Sequence, residues 1–340
     1  MTLPVLPFAA SSSTTGTDLD VSVAMWAALG ALVIIMLVVD LFLFGRGRKE
    51  VSLRASVVWS VVWLGLALVF GAALWAWQGS GAGSEYLAGY LLERSLSLDN
   101  IFVFAVILSF FAVPMAAQAK VLSWGIALAL VLRLIFILLG AALLDAFHVT
   151  FYAFGALLLY TAYKLARHDD AEIEPEHNPA LRFLRRRVPM TSSYAGHRLT
   201  VREAGRLMAT PLAAVFIVVA TTDIVFAVDS IPAIFAITTE PFIVFAANAF
   251  AMLGLRALYF VLVGAMDRFA YLSYGLSAIL AFIGVKMLLI DVWHPPIWLS
   301  LGVIVGVLVV TAVWSARATA GREPSAEASP RTRPAAESQS

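Results

Sequence analysis

The sequence contains no cysteine, which excludes disulfides, thiolate metal sites and thiol redox chemistry. Charge is scarce as well. Only 13% of the 340 residues are Asp, Glu, Lys or Arg, against about 25% in typical soluble domains. Residues 1–20 hold no Lys or Arg, so the charged segment that begins a signal peptide is missing. No zinc motif, phosphate-binding glycine loop or nucleophile–histidine arrangement is visible, so neither an enzyme nor a permanently bound cofactor is expected. The five histidines (148, 168, 177, 197, 294) lie in loops or at the ends of apolar runs, away from their middles.

What remains is overwhelmingly apolar: 61% hydrophobic residues and a mean hydropathy of +0.89. A membrane span needs about 20 mostly apolar residues in a row, and such runs fill the chain. They predict an all-α polytopic membrane protein with nine spans, at 22–44, 53–77, 85–112, 118–144, 148–166, 208–237, 241–265, 270–290 and 297–316. The basic residues fall on alternate connections. Arg46, Arg48, Lys49 and Arg54 follow the first span, and Lys120 falls after the third. Arg182, Arg185, Arg186 and Arg187 lie in the long loop 167–207, Arg268 follows the seventh span and Arg317 the ninth. The other turns carry Glu85, Asp145, Glu240 and Asp291 but no Lys or Arg. The positive-inside rule then predicts an outer amino terminus and a cytoplasmic carboxyl terminus. Residues 1–21 read as a disordered leader and 317–340 as a disordered cytoplasmic tail, around a transmembrane domain 22–316. Trp75, Trp77, Trp293 and Trp298 read as interfacial anchors. The Arg182–Arg187 run reads as a segment facing lipid headgroups rather than nucleic acid.

Against this background two stretches are out of place. Glu93-Arg94-Ser95-Leu96-Ser97-Leu98-Asp99-Asn100 interrupts one apolar run, and Asp223 to Asp229-Ser230 interrupts another. Both have the form acid-x5-acid-polar. Ionisable groups at membrane depth cost about 2.5–3.5 kcal/mol on insertion scales and mark function by default. The likeness extends further: Leu132-Arg133 matches Leu255-Arg256, and Phe154-Gly155 to Lys164 matches Tyr274-Gly275 to Lys286. Spans 3–5 thus resemble spans 6–8 and run the opposite way. Such an inverted repeat is a common transporter plan, with the substrate held at the repeat interface.

Residues seven apart share a helix face and residues six apart differ by about 120°. Glu93, Ser97 and Asn100 therefore form one stripe, and Asp223 stacks with Ser230. Pro232 removes the helical partner of the Val228 carbonyl and is expected to kink or break its span. Carboxylates, hydroxyls, an amide and a freed carbonyl make an all-oxygen environment of the kind hard divalent cations prefer. Glu93, Asp99, Asn100, Asp223, Asp229 and Ser230 are the candidate ligands, with Asp99 and Asp229 central and able to share one ion. Arg133 and Arg256 are expected as structural counter-ions. Asn248 is a supporting polar group, and Asp40 either supports the site or lies in the interface. Four acids against two arginines leave two negative charges, enough for one divalent cation. When that cation leaves, carboxylates at this depth would take up protons in exchange, because burial disfavours their charged form.

Glu93-x-Ser95-Leu96-Ser97-Leu98-Asp99-Asn100-Ile101-Phe102 resembles the first signature of the TerC family of integral membrane proteins. Phe226-Ala227-Val228-Asp229-Ser230-Ile231-Pro232 through Thr238 is similar to the second. Leu253-Gly254-Leu255-Arg256-Ala257-Leu258-Tyr259 and Gly284-Val285-Lys286 agree with it, and the likeness covers roughly 22–290. The resemblance implies a nine-span protein of the bacterial inner membrane that exports manganese(II). It carries the family's acids over to Glu93, Asp99, Asp223 and Asp229. One departure stands out: Ala220 occupies a position where members often have Glu. The other reading that the residues leave open is a membrane factor that does not transport. It would serve membrane-protein biogenesis, metal supply to exported proteins, or tellurite and stress resistance, through membrane-protein partners.

Overall fold

The structure, a computed structural model, describes residues 19, 21–45, 53–167, 178–191, 194–196, 198–203, 206–262, 272–293 and 295–320. Most of the leader 1–21, the tail beyond 320, and Arg46, Arg48, Lys49 and Arg268 lie outside the described residues, as does 168–177 of the long loop.

The apolar runs become helices: α1 (Val23–Gly45), α2 (Leu53–Phe110), α3 (Met115–Ala146) and α4 (Val149–Ala166). After the long loop come α6 (Pro211–Phe235), α7 (Pro241–Leu253), α8 (Leu255–Leu262), α9 (Leu272–Leu288) and α10 (Ile297–Ala320). Among the described residues six helices are long and apolar enough to cross a bilayer, or seven if α7 and α8, bent by 43°, form one crossing. The chain is an all-α polytopic membrane protein.

As one straight rod the 58 residues of α2 would measure about 87 Å, nearly three hydrocarbon thicknesses. The rod is folded back on itself. At Gly79 the backbone turns to φ 89°, ψ 177°, a conformation that suits glycine. Beyond it the Tyr86 hydroxyl donates to the Ala67 carbonyl at 3.1 Å, and the Tyr86 ring lies 5.1 Å from that of Phe70. Residues 19 apart in a straight helix would be about 28 Å apart. α2 is therefore a hairpin with arms 53–78 and 80–110. Gly83 lets the arms meet: a Cβ there would fall 2.7 Å from the Cβ of Trp75.

α4 and α9 also pack antiparallel and at backbone distance. A Cβ on Gly155 would sit 3.0 Å from the Gly284 carbonyl oxygen, and one on Gly284 3.0 Å from that of Gly155. Seven residues along α4 and seven back along α9, the Ser277 hydroxyl donates to the Ala162 carbonyl at 2.8 Å. Small residues permit such close approach where no hydrophobic force draws helices together.

Two expectations change in detail. Pro232 does not end its helix; α6 runs on to Phe235, and the Ala236 N–H donates to the Pro232 carbonyl at 3.1 Å. The long loop is not merely a solvated connection, because it holds α5 (Pro179–Arg187) and an antiparallel hairpin of β1 (Thr200–Glu203) and β2 (Arg206–Ala209). Asn178 caps α5, its Oδ1 accepting from the N–H of Ala180 at 3.0 Å and of Leu181 at 3.1 Å. Its Nδ2 donates to Thr221 of α6 at 2.8 Å, tying the loop to the helices.

Candidate functional site

The second arm of α2 lies antiparallel to α6, and its register fixes which polar groups can meet. Thr238 donates to Glu85 Oε2 at 2.6 Å. One turn on, a Cβ built at Gly89 would lie 3.6 Å from Ile234. Another turn on, Glu93 and Ser230 share a hydrogen-bonded nitrogen of Arg133. Each step of four along α2 is met by four back along α6. Carried two turns further, the same register brings Asn100 level with Asp223. The two copies of the motif thus run head to tail, each with its acid opposite the other's small polar residue.

Arg133, from the middle of α3, enters between them. It is fully buried, as is Glu93. Its Nη1 donates to Glu93 Oε1, to Asn248 Oδ1 at 2.6 Å and to Ser230 Oγ at 3.2 Å. Its Nη2 lies 3.8 Å from Asp223 Oδ1, an ion pair beyond hydrogen-bond range. Asn248 is held in turn by donating to the Val244 carbonyl of its own helix at 3.0 Å, and Ser97 lies 3.5 Å from Glu93 Oε1. Glu93 Oε2, Asp223 Oδ2, and Nε and Nη2 of Arg133 are buried without a hydrogen-bond partner. Two carboxylates therefore face one guanidinium, with acceptor capacity left over.

Of the remaining expected residues, Asp229 and Arg256 make contacts outside the cluster. Asp229 Oδ1 accepts from Thr161 of α4 at 2.9 Å and feels the charge of Lys164. Asp99 is half-buried, about 120° round the helix from Glu93, and Asn100 is buried. Asp229 is thus drawn toward α4, while Glu93 and Asp223 occupy the centre. Arg256 does not reach them. It pairs with Asp40 Oδ2 at 3.0 Å and donates also to the Asp40 carbonyl and to Ser123 Oγ. Asp40 is only 1% exposed, so it is a buried ion-pair partner rather than an interfacial group.

Sequence reading did not find Thr161 or Ser123, since single hydroxyls carry no periodic signal. It took Glu85 for a turn acid, although Glu85 is buried and bonded to Thr238. It used Lys286 as a landmark of the repeat. In the structure Lys286 is 9% exposed and donates to the Ala236 carbonyl at 2.9 Å, with Ser300 Oγ at 3.4 Å.

Among the described residues no three His, Asp or Glu side chains converge as a ready-made metal cage. The central cluster offers two carboxylates, an amide oxygen and a hydroxyl, with a guanidinium among them. Those oxygens suit a hard cation, and the free lone pairs on Glu93 and Asp223 leave room in the donor set for one.

The model of a family described as "Integral membrane protein TerC family" matches residues 78–323, which include the whole cluster but not Asp40. Among curated proteins, the Myxococcus xanthus "Uncharacterized membrane protein STKORF319" is 47% identical over 294 residues, 86% of this chain and 92% of that one. The "Putative membrane-bound redox modulator Alx" of Salmonella typhi is 45% identical over 310 residues, 88% of this chain and 95% of its own. The protein of the same name from Escherichia coli (strain K12) is 44% identical over 313 residues, 89% and 96% of the two chains. No solved structure matches this chain.

Proposed function

The chain belongs to the TerC family of integral membrane proteins, and from that premise we propose that it exports divalent cations, manganese(II) foremost, in exchange for protons. The observation that carries this reading is the buried cluster of Glu93, Asp223, Ser230 and Asn248, whose carboxylate oxygens are not all satisfied. Evolutionarily idle acids at such depth would be costly. Asp99, Asn100 and Asp229, at the levels of Asp223 and Ser230 in the same register, then flank the cation's path.

The architecture we propose has nine crossings in the bacterial inner membrane, with the amino terminus outside and the carboxyl terminus in the cytoplasm. The two arms of α2 count separately, α7 with α8 counts once, and α9 counts although it has only 17 residues. An inverted repeat is supported by how the helices pair. The second arm of α2 packs on α7 as α6 packs on α3, and α4 meets α9 glycine to glycine. The chain acts without a resident cofactor, as a carrier rather than an enzyme, and has no nucleic-acid partner.

The test is flux of manganese(II), calcium, magnesium and zinc from proteoliposomes, with and without a pH gradient. Saturable manganese flux that accelerates with an opposing proton gradient is expected. Absence of flux for every ion, from protein that is folded, would overturn the reading. A second reading, a membrane factor that does not transport, is favoured by α5 in the long loop, which exposes Phe183 among its arginines. It predicts co-purification of a membrane protein that is lost when 179–187 is replaced, with flux absent in both forms. The Alx relatives are named for redox modulation; without cysteine, this chain could not bring about such an effect through thiols of its own.

A further inference from the structure

The geometry points to Arg133 as a resident cation that occupies the carrier's own binding site when cargo is absent and is displaced toward Asp223 when cargo binds. This rests on the transport reading above.

Three observations carry it. First, the surroundings of Arg133 Nη1 are those of a cation site rather than of a structural arginine. A carboxylate oxygen, an amide oxygen at 2.6 Å and a hydroxyl oxygen at 3.2 Å converge on one nitrogen from three different helices, α2, α7 and α6. That is a hard-cation ligand set with a guanidinium nitrogen in the middle. Second, the arginine is poorly held for a structural clamp. Strong arginine–carboxylate pairs use the planar fork, two parallel N–H donors on one carboxylate. Here Nε and Nη2 make no hydrogen bond although the side chain is fully buried. Third, there is somewhere to go. Asp223 Oδ1 lies 3.8 Å from Nη2 and Asp223 Oδ2 has no hydrogen-bond partner, so a small rotation exchanges one acid for the other.

The consequence concerns the empty carrier. Without Arg133, an unloaded site would present Glu93 and Asp223 as two uncompensated charges in a low-dielectric interior, where reorientation across the membrane would be slow. With it, one negative charge is left over, which a single exchanged proton neutralises, and the unloaded site can return. The same charge lowers affinity for the cargo and helps to discharge it on the far side. Arg133 is a specificity and release determinant under this view, not a brace between helices.

The experiment combines binding with two transport modes on full-length protein, using manganese(II) as probe. For Arg133→Gln the expected result is manganese binding at least tenfold tighter than wild type, net efflux lost, and manganese–manganese counterflow retained, since counterflow never requires an empty carrier to return. A merely structural arginine would weaken binding and abolish both modes together. If Arg133→Gln does not fold, Arg133→Gln with Glu93→Gln is compared with Glu93→Gln alone in the binding assay. Tighter binding by the double variant supports the inference, and equal or weaker binding overturns it. Wild-type transport with unchanged or weaker affinity in Arg133→Gln overturns this inference alone. A folded wild type that neither binds nor moves any of the ions overturns the transport reading and this inference with it.

Discussion

The two buried arginines occupy matching places in the sequence repeat, Leu132-Arg133 and Leu255-Arg256, yet their surroundings differ. Arg256 meets one acid, Asp40, and spreads its other contacts over a hydroxyl and a backbone carbonyl. That ion pair sets one acid against one base. Arg133 meets two acids from two different helices, and the balance there is one short. A balanced pair of this kind can be exchanged for apolar residues at little cost, whereas an imbalanced cluster holds charge that only a further cation can satisfy. The comparison separates a brace from a site, even where the sequence presents both as the same Leu-Arg dipeptide.

The comparison can be broken at several points. The largest effect is expected at the imbalanced cluster: Glu93→Gln and Asp223→Asn should each reduce manganese flux in proteoliposomes to background while the protein still folds. Flux near the wild-type rate in either variant would remove the cluster from the path. Next comes the brace. Arg256→Met should destabilise the protein by about 3–5 kcal/mol, since it strands a buried Asp40. Adding Asp40→Leu should recover most of that loss, with flux retained. Thermal unfolding in detergent reads both, and a double variant that stays unstable would mean that the pair does more than balance charge. Gly155→Leu should cost about 1–3 kcal/mol by overpacking, because its Cβ would already lie 3.0 Å from a backbone oxygen. An unchanged unfolding temperature would show that α4 and α9 are further apart than described. The smallest effect is expected at Thr161→Val, which removes one hydrogen bond to Asp229 worth about 0.6 kcal/mol in membrane interiors. Stability should barely move, while flux should fall by less than it does in Glu93→Gln.

Much of the fold was legible because hydrocarbon admits few alternatives: with backbone groups satisfied only within helices, long apolar runs must be helical. The expected runs 22–44, 118–144 and 148–166 return as α1, α3 and α4 within a few residues. The Gly79-Ser80-Gly81-Ala82-Gly83 stretch was readable as a break between spans, though not as a turn so tight that helix resumes at once. The elements α5, β1 and β2 escaped notice because their polar composition resembles that of any solvated loop. At the site, residue types were legible and pairings were not. Motif spacing selects Glu93 and Asp223 as readily as Asp99 and Asp229. What decides between them is the side of each helix that α3 approaches, and Asp40 pairing with Arg256 spans 216 residues of sequence.

One contact has a mechanical meaning. Where α4 and α9 touch, Leu288 of α9 lies over Gly155 and Leu159 of α4 lies over Gly284, so each helix lodges a side chain in the gap the other's glycine leaves. Turning either helix would lift both leucines from their seats, and packed interiors resist that. The crossing behaves as a latch that fixes rotation and separation together. If the halves of the molecule rock about the arginine-bearing centre, α4 and α9 would travel as one rigid piece.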